Sequence, residues 1–178
     1  IGTALTKELT KRGHEVFGID LLHAPGEVGY NQTMSWDSNT YSRCDIREFR
    51  QLRRIFNINK PFDFVYNCAA EFGRWNGEDY YEQVWETNVI GLRHLLELQT
   101  SLDFNLIHFS SSEVYGDYRN TMKEEIMDIK EIKQLNDYAL SKWTNEQQIL
   151  NHKLRANVNI TVVRLFNIYG PGEIYHPY

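Results

Sequence analysis

Short runs of β-forming apolar residues alternate with helical stripes along almost the whole chain, and this alternation limits the fold more than any other feature. Thr3 to Arg12 reads as a helix, with Leu5 and Leu9 four apart and Gly13 as a stop signal. Glu15 to Asp20 (EVFGID) reads as a strand. Residues 21–40 hold Pro25, Gly26, Gly29 and many polar side chains, as a loop does, and Tyr41 to Asp45 reads as a weak strand. Arg47 to Asn59 carries Phe49, Leu52, Ile55 and Phe56 on one helical stripe. Asp63 to Ala70 (DFVYNCAA) is nearly continuously apolar, which predicts a central parallel strand buried on both faces. Glu78 to Thr100 predicts a long helix with a break near Val84. Asn105 to Ser110, Asn136 to Leu154 and Asn159 to Phe166 predict strand, helix and strand. Regular alternation of this kind predicts an α/β fold: a doubly wound, mostly parallel sheet with helices on both faces.

Composition excludes several classes of function. The net charge of −5 argues against nucleic acid as the main partner, because phosphate backbones attract clustered Lys and Arg. No run of 18 apolar residues is present, so no transmembrane helix and no membrane partner are expected, and no signal peptide is read. Two cysteines, Cys44 and Cys68, do not make a disulfide framework and fit a reducing cytoplasm; Cys68 lies in an apolar run as a small core residue would. No metal-ligating constellation is read. Because the chain starts at Ile1 without Met and ends just after a Pro-Gly turn, residues 1–178 are expected to be one domain, a fragment of a longer protein.

In a doubly wound sheet, ligands sit beyond the carboxyl ends of the strands, so the residues closing each strand carry most information. Gly2 opens the first helix, where a glycine lets a pyrophosphate approach the helix N-terminus; a helix-packing glycine explains it equally well. Asp20 ends the next strand, where an acid bonds the ribose hydroxyls of NAD and repels the extra phosphate of NADP. A simple turn aspartate remains the alternative there. Asp45 and Ile46 follow the weak strand and could flank adenine; Asp45 equally suits the N-cap of the helix that follows. Ala69 and Ala70 are small enough for a cofactor to pass close by.

Tyr138 and Lys142 are four apart on a predicted helix and share a face. An ammonium there is expected to pull the phenol toward the tyrosinate and make Tyr138 a general base. Ser110-Ser111-Ser112-Glu113-Val114-Tyr115-Gly116 follows a predicted strand, where a serine hydroxyl could bond the same substrate oxygen; a turn or helix cap is the plainer account of such a cluster.

Taken in order, I-G-T-A-L, V-F-G-I-D, C-D-I-R, V-Y-N-C-A-A, T-N-V-I-G, S-S-S-E-V-Y-G, Y-A-L-S-K and R-L-F-N-I-Y-G-P-G resemble the extended short-chain dehydrogenase/reductases, in particular the nucleotide-sugar epimerase/dehydratase group. The resemblance implies NAD as cofactor and a nucleotide sugar as substrate. It implies Ser111 as the catalytic hydroxyl, Tyr138 as the base, and Lys142 as its partner and the ligand of the nicotinamide ribose. It also implies Asn88 as structural support near the cofactor and Asn167 as a contact to the substrate diphosphate. The implied chemistry starts when Tyr138 takes the proton of the sugar 4-hydroxyl as hydride leaves for NAD, giving a transient 4-keto sugar. The first strand and most of the glycine loop of the family pattern are absent, as is the substrate-binding half that follows Y-G-P-G. The family's His before Ala-Ala is replaced by Asn67-Cys68.

Within the group, Glu113 is the discriminating position. A carboxylate there could remove the C5 proton acidified by a 4-keto group, which suits dehydratases and decarboxylases better than simple 4-epimerases; a structural carboxylate at a strand end is the competing account. Ser112 before it also bears on substrate. Arg74 and Trp75, in the loop after Ala70, are candidates to meet the sugar, or simply anchor a surface loop. A homodimer through helices 88–100 and 136–154 is implied, although core packing explains the apolar face of Leu92, Leu95, Leu96, Tyr138 and Ile149 equally well. The rival to an enzyme is a catalytically silent dinucleotide-binding regulatory module; the complete Ser111, Tyr138 and Lys142 set argues against it.

Overall fold

The computed structural model describes residues 1–21, 40–59, 61–72 and 80–170. The predicted alternation is present throughout. Helix α1 (Gly2–Lys11) leads to strand β1 (Gly18–Asp20), then β2 (Tyr41–Arg43) and α2 (Phe49–Asn59). Strand β3 (Phe64–Asn67) precedes a long helix, α3, in three parts: α-helical Tyr81–Val84, π-helical Trp85–Ile90 and α-helical Gly91–Leu102. Strand β4 (Asn105–Ser111) runs into a 3₁₀ turn, Ser112–Tyr115. A short helix α4 (Ile126–Ile129), the long α5 (Asp137–Arg155) and strand β5 (Ile160–Leu165) complete the order.

All strand pairs are parallel. β1 pairs with β2, and β3-β4-β5 form a second group with β4 in the middle. With helices packed over the sheet, this is a Rossmann-like α/β fold. Leu52 and Phe56 of α2, Leu92, Leu95 and Leu96 of α3, Leu106 of β4, Ile149 of α5 and Ile160 of β5 form one continuous core.

Three expectations need correction. β3 is not buried on both faces: Phe64 is 56 % exposed and Tyr66 36 %, because among the described residues β3 pairs only with β4. The helix after the Ala-Ala segment does not break near Val84. It widens into a π turn, which absorbs an extra residue without ending the helix. The apolar face assigned to a dimer is mostly internal, since Leu92, Leu95, Leu96 and Ile149 are all at most 3 % exposed within this core.

Close approach explains one glycine. A Cβ on Gly91 would stand 2.8 Å from the Ile46 side chain, so only glycine lets α3 lie this tightly over the β2–α2 turn.

Candidate active site

β4 and α5 bring the redox candidates together. Ser111 is the last residue of β4 and Glu113 lies in the turn after it, while Tyr138 and Lys142 stand one turn apart in α5. Asn136 starts α5 by accepting from the Ala139 amide at 2.7 Å, so the helix begins just ahead of Tyr138. The Ser111 hydroxyl accepts from the Glu113 amide, and its influence on the Tyr138 phenol is to lower the pKa. The Lys142 ammonium lies 5.7 Å from the centre of the Tyr138 ring and donates to the Phe109 carbonyl at 2.9 Å. Lys142 is buried, and burial draws its ammonium down to about 8, with the Cys68 thiol opposing.

The phenol does not behave as the helix spacing alone predicts. Burial pushes Tyr138 upward, the Glu113 carboxylate adds to this, and only the Ser111 hydrogen bond acts the other way. The Lys142 charge is spent on the Phe109 carbonyl, and desolvation of the phenolate prevails.

Two buried polar networks hold this edge in place. The Ser110 hydroxyl donates to Glu146 at 2.5 Å, and Glu146 is gripped by Arg164 of β5, with Nη2 to Oε2 at 2.7 Å. Arg164 also donates to the Tyr115 hydroxyl and the Glu124 carbonyl. Burial alone would weaken its charge, but the bonds to Glu146 and Tyr115 keep it firmly protonated. The second network centres on His108, 1 % exposed, which meets the Asn67 amide at 3.2 Å through Nδ1 and the Asn145 amide at 3.5 Å through Nε2. Burial, helped by the Lys142 ammonium, drives its imidazole down to about 3, so it is neutral. A neutral imidazole offers one donor and one acceptor, and the Asn67 Oδ1 is otherwise buried without a partner. Turning the Asn67 amide over lets Oδ1 accept from Nδ1–H and leaves Nε2 free to accept from Asn145. Sequence reasoning missed His108, Glu146 and Arg164. A lone His, Glu or Arg carries no spacing signal; an ionisable residue inside an otherwise apolar strand was the one available clue.

Asn88 sits inside the π turn rather than opening a helix. Its Oδ1 accepts from the Glu71 amide and its Nδ2 donates to the Glu71 carbonyl and to Ser141, all at 2.9 Å. It thereby ties the segment after Ala69 and Ala70 to α5.

The cofactor candidates line the same carboxyl edge. A Cβ on Gly2 would be 3.8 Å from the Cys68 Cβ, so the N-terminus of α1 meets the end of β3 beside Ala69 and Ala70. Asp20 closes β1 opposite Arg43 of β2. Beyond them an open cleft of about 420 Å³ is lined by Leu21, Arg43, Asp45, Glu48 and Gln51. Small residues at the β3 end, a helix N-terminus and this cleft fit an extended dinucleotide such as NAD. Two assignments change. Asp45 does not cap α2, which starts at Phe49; it turns back on the Arg47 amide and pairs with the Arg47 guanidinium at 2.7 Å, which holds its carboxyl below the ordinary range. Ile46 packs into the core against Gly91 at 8 % exposure, leaving little of it to touch adenine. Ser112 opens the 3₁₀ turn and Asn167 follows β5, exposed. Arg74 and Trp75 lie outside the described residues. No described helix is long and apolar enough to cross a membrane.

Comparison with known proteins agrees with this geometry. The chain is 29 % identical to Protein CapI of Staphylococcus aureus over 96 % of its own length and 52 % of that protein. It is 29 % identical to the UDP-N-acetyl-alpha-D-glucosaminuronate decarboxylase of Bacillus cytotoxicus, over 100 % of the chain and 54 % of the enzyme. It thus spans about half the length of these curated relatives. Among solved structures it resembles Pal from Bacillus thuringiensis, with a TM-score of 0.83, 26 % identity, and coverage of 99 % of this chain and 56 % of that one. MoeE5 in complex with UDP-glucuronic acid and NAD shares the fold, with a TM-score of 0.80, 24 % identity, and coverage of 97 % and 53 %. A family model described as the NAD dependent epimerase/dehydratase family matches residues 1–177, and the chain belongs to that NAD-dependent family.

Proposed function

We propose that the protein carrying this chain is an NAD-dependent nucleotide-sugar epimerase or dehydratase working through a transient 4-keto sugar. The observation that supports this best is the convergence of Ser111, Tyr138 and Lys142 at the carboxyl edge of β4. Tyr138 Oη takes the proton of the sugar 4-hydroxyl, and the Ser111 hydroxyl holds that oxygen in line. Lys142 bonds the nicotinamide ribose, and its ammonium favours the phenolate once cofactor and substrate have closed the site. NAD, when bound, supplies hydride acceptance and return. Asp20 holds the adenosine ribose, with Gly2, Ala69 and Ala70 along the pyrophosphate path. Asn167 is assigned to the substrate diphosphate, and Ser112, Arg74 and Trp75 to the sugar.

Decarboxylation is the second reading, and the likeness to the decarboxylase of Bacillus cytotoxicus favours keeping it. A carboxylate beside the phenol can move the C5 proton of a 4-keto sugar in a dehydratase, while a 4-keto uronic acid loses CO₂ without such help. A homodimer would use the apolar side chains α3 and α5 leave exposed, Ile90, Leu140 and Leu150, instead of the core residues; sedimentation of the full-length protein tests it.

The deciding experiment incubates the full-length protein with NAD and a panel of nucleotide sugars and weighs the products. Loss of a water mass means dehydration, loss of CO₂ decarboxylation, and an unchanged mass with altered configuration epimerisation. Turnover that survives in the Tyr138→Phe variant would overturn the assignment.

A further inference from the structure

Asn136 does two things with one amide. Its Oδ1 accepts from the Ala139 N–H at 2.7 Å and caps α5, while its Nδ2 donates to Glu113 Oε2, also at 2.7 Å. Both atoms are engaged, and the backbone is extended (φ −156°, ψ 169°), as an N-cap requires. Glu113 is itself exposed and sits in a turn, so without a partner its carboxylate would be free to point into solvent. The turn carrying it is docked on the strap ahead of α5: Gln134 donates to the Val114 carbonyl, and Asp117 and Lys133 exchange two hydrogen bonds. Gly116, at φ 46°, lets the Lys133 carbonyl lie against the chain where a Cβ would clash.

We propose that Asn136 is a positioning residue, whose amide caps the helix that carries Tyr138 and simultaneously ties the Glu113 carboxylate, in the turn after Ser111, to the start of that helix. Capping alone needs only an acceptor, which Ser, Thr, Asp or Asn supplies. Holding Glu113 needs a donor as well, which an ionised Asp lacks and which the Asn136 Nδ2 supplies here at 2.7 Å. The consequence is electrostatic coupling between two residues of the proposed site: the fixed carboxylate opposes ionisation of the phenol until it is neutralised or drawn away. On the phenol's own helix Lys142 lies over its ring, with Cys68 of the β3 end and His108 of β4 facing the ammonium. Glu86 of α3 and Arg164 of β5 are committed to Arg47 and Glu146.

The proposal rests on Glu113 and Tyr138 sharing one site, as the proposed function holds, but its test needs no turnover. Tyrosinate absorbance is titrated in the full-length protein and in its Tyr138→Phe variant, and the difference reports Tyr138 alone. Asn136→Gly largely keeps the cap and removes the donor; Asn136→Ala, which also lacks a donor, is the second variant should Gly impair folding. Each is expected to move the Tyr138 titration to lower pH, by less than Glu113→Gln does because the loosened carboxylate keeps its charge, and adding Asn136→Gly to Glu113→Gln should move it no further than Glu113→Gln alone. If Glu113→Gln shifts the titration and the Asn136 variants do not, Asn136 is a cap only and the proposal fails. If none of them shifts it, Glu113 does not act on the phenol and the proposal fails too. Absence of any change in product mass or configuration with every nucleotide sugar, with these shifts intact, would instead sink the proposed function and leave the positioning role standing.

Discussion

The carboxyl edge of β4 and β5 and the tips of β1 and β2 face the two ends of one proposed dinucleotide site, yet they are built in different ways. The β4 side is dry. Its strand runs for seven residues, and Ser110, Ser111, His108, Lys142, Asn145 and Glu146 are all buried and bonded to one another or to backbone. The β1–β2 side has strands of three residues, an open cleft, and the Asp45–Arg47 pair at the surface. Proton transfer needs a phenol and its neighbours held to within fractions of an ångström in a low-dielectric setting, whereas adenosine needs only shape and a few hydrogen bonds. The rigid side therefore carries the proposed chemistry, and the open side the proposed recognition.

This contrast can be broken, first at the phenol. Tyr138→Phe should lower oxidation of the sugar by about 10²- to 10⁴-fold, the usual share of a general base, while NAD binding by calorimetry stays intact. Next comes the buried ion pair: Arg164→Met leaves Glu146 uncompensated, and a denaturant titration should show a loss of about 3 kcal/mol or more. Acid sharpens the same point. The His108 imidazole is held down at about 3 in the folded chain, so the unfolded chain binds the extra proton first as pH falls below 6.5. Stability should fall through the window from 6.5 to about 3, and His108→Leu should flatten that slope in a urea-midpoint series. Lys142 gives the same sign at higher pH: stability should rise between about 8 and 10.5, where the unfolded chain still holds the proton.

On the open side the expected effects are smaller. Asp20→Asn should erode the preference for NAD over NADP by about tenfold, about 1.4 kcal/mol in binding, read by comparing the two dissociation constants. Arg47→Met removes a partly exposed pair and should cost about 1 kcal/mol or less. A larger loss at Arg47 than at Arg164 would reverse the picture of one dry and one wet end.

How much of this was legible in the sequence follows the same divide. The element order, the parallel sheet and the Tyr138–Lys142 face were readable because periodicity and i, i+4 spacing are local properties. Buried polar partners were not: Glu146 and Arg164 lie 18 apart, Asn67 and His108 41 apart, and nothing local links them. Asp45 shows the intermediate case, where the residue type was right for a cap but a neighbouring guanidinium claimed it.

The sequence by itself thus determined where strands and helices lie and which side chains share a helix face, because backbone propensity and side-chain period act over a few residues. Tertiary structure alone decided the charge states of the site. Burial and the Glu113 carboxylate turned the Tyr138 phenol upward although Lys142 stands one turn away. Desolvation depends on what the rest of the chain packs over a group, and no short stretch of sequence encodes that.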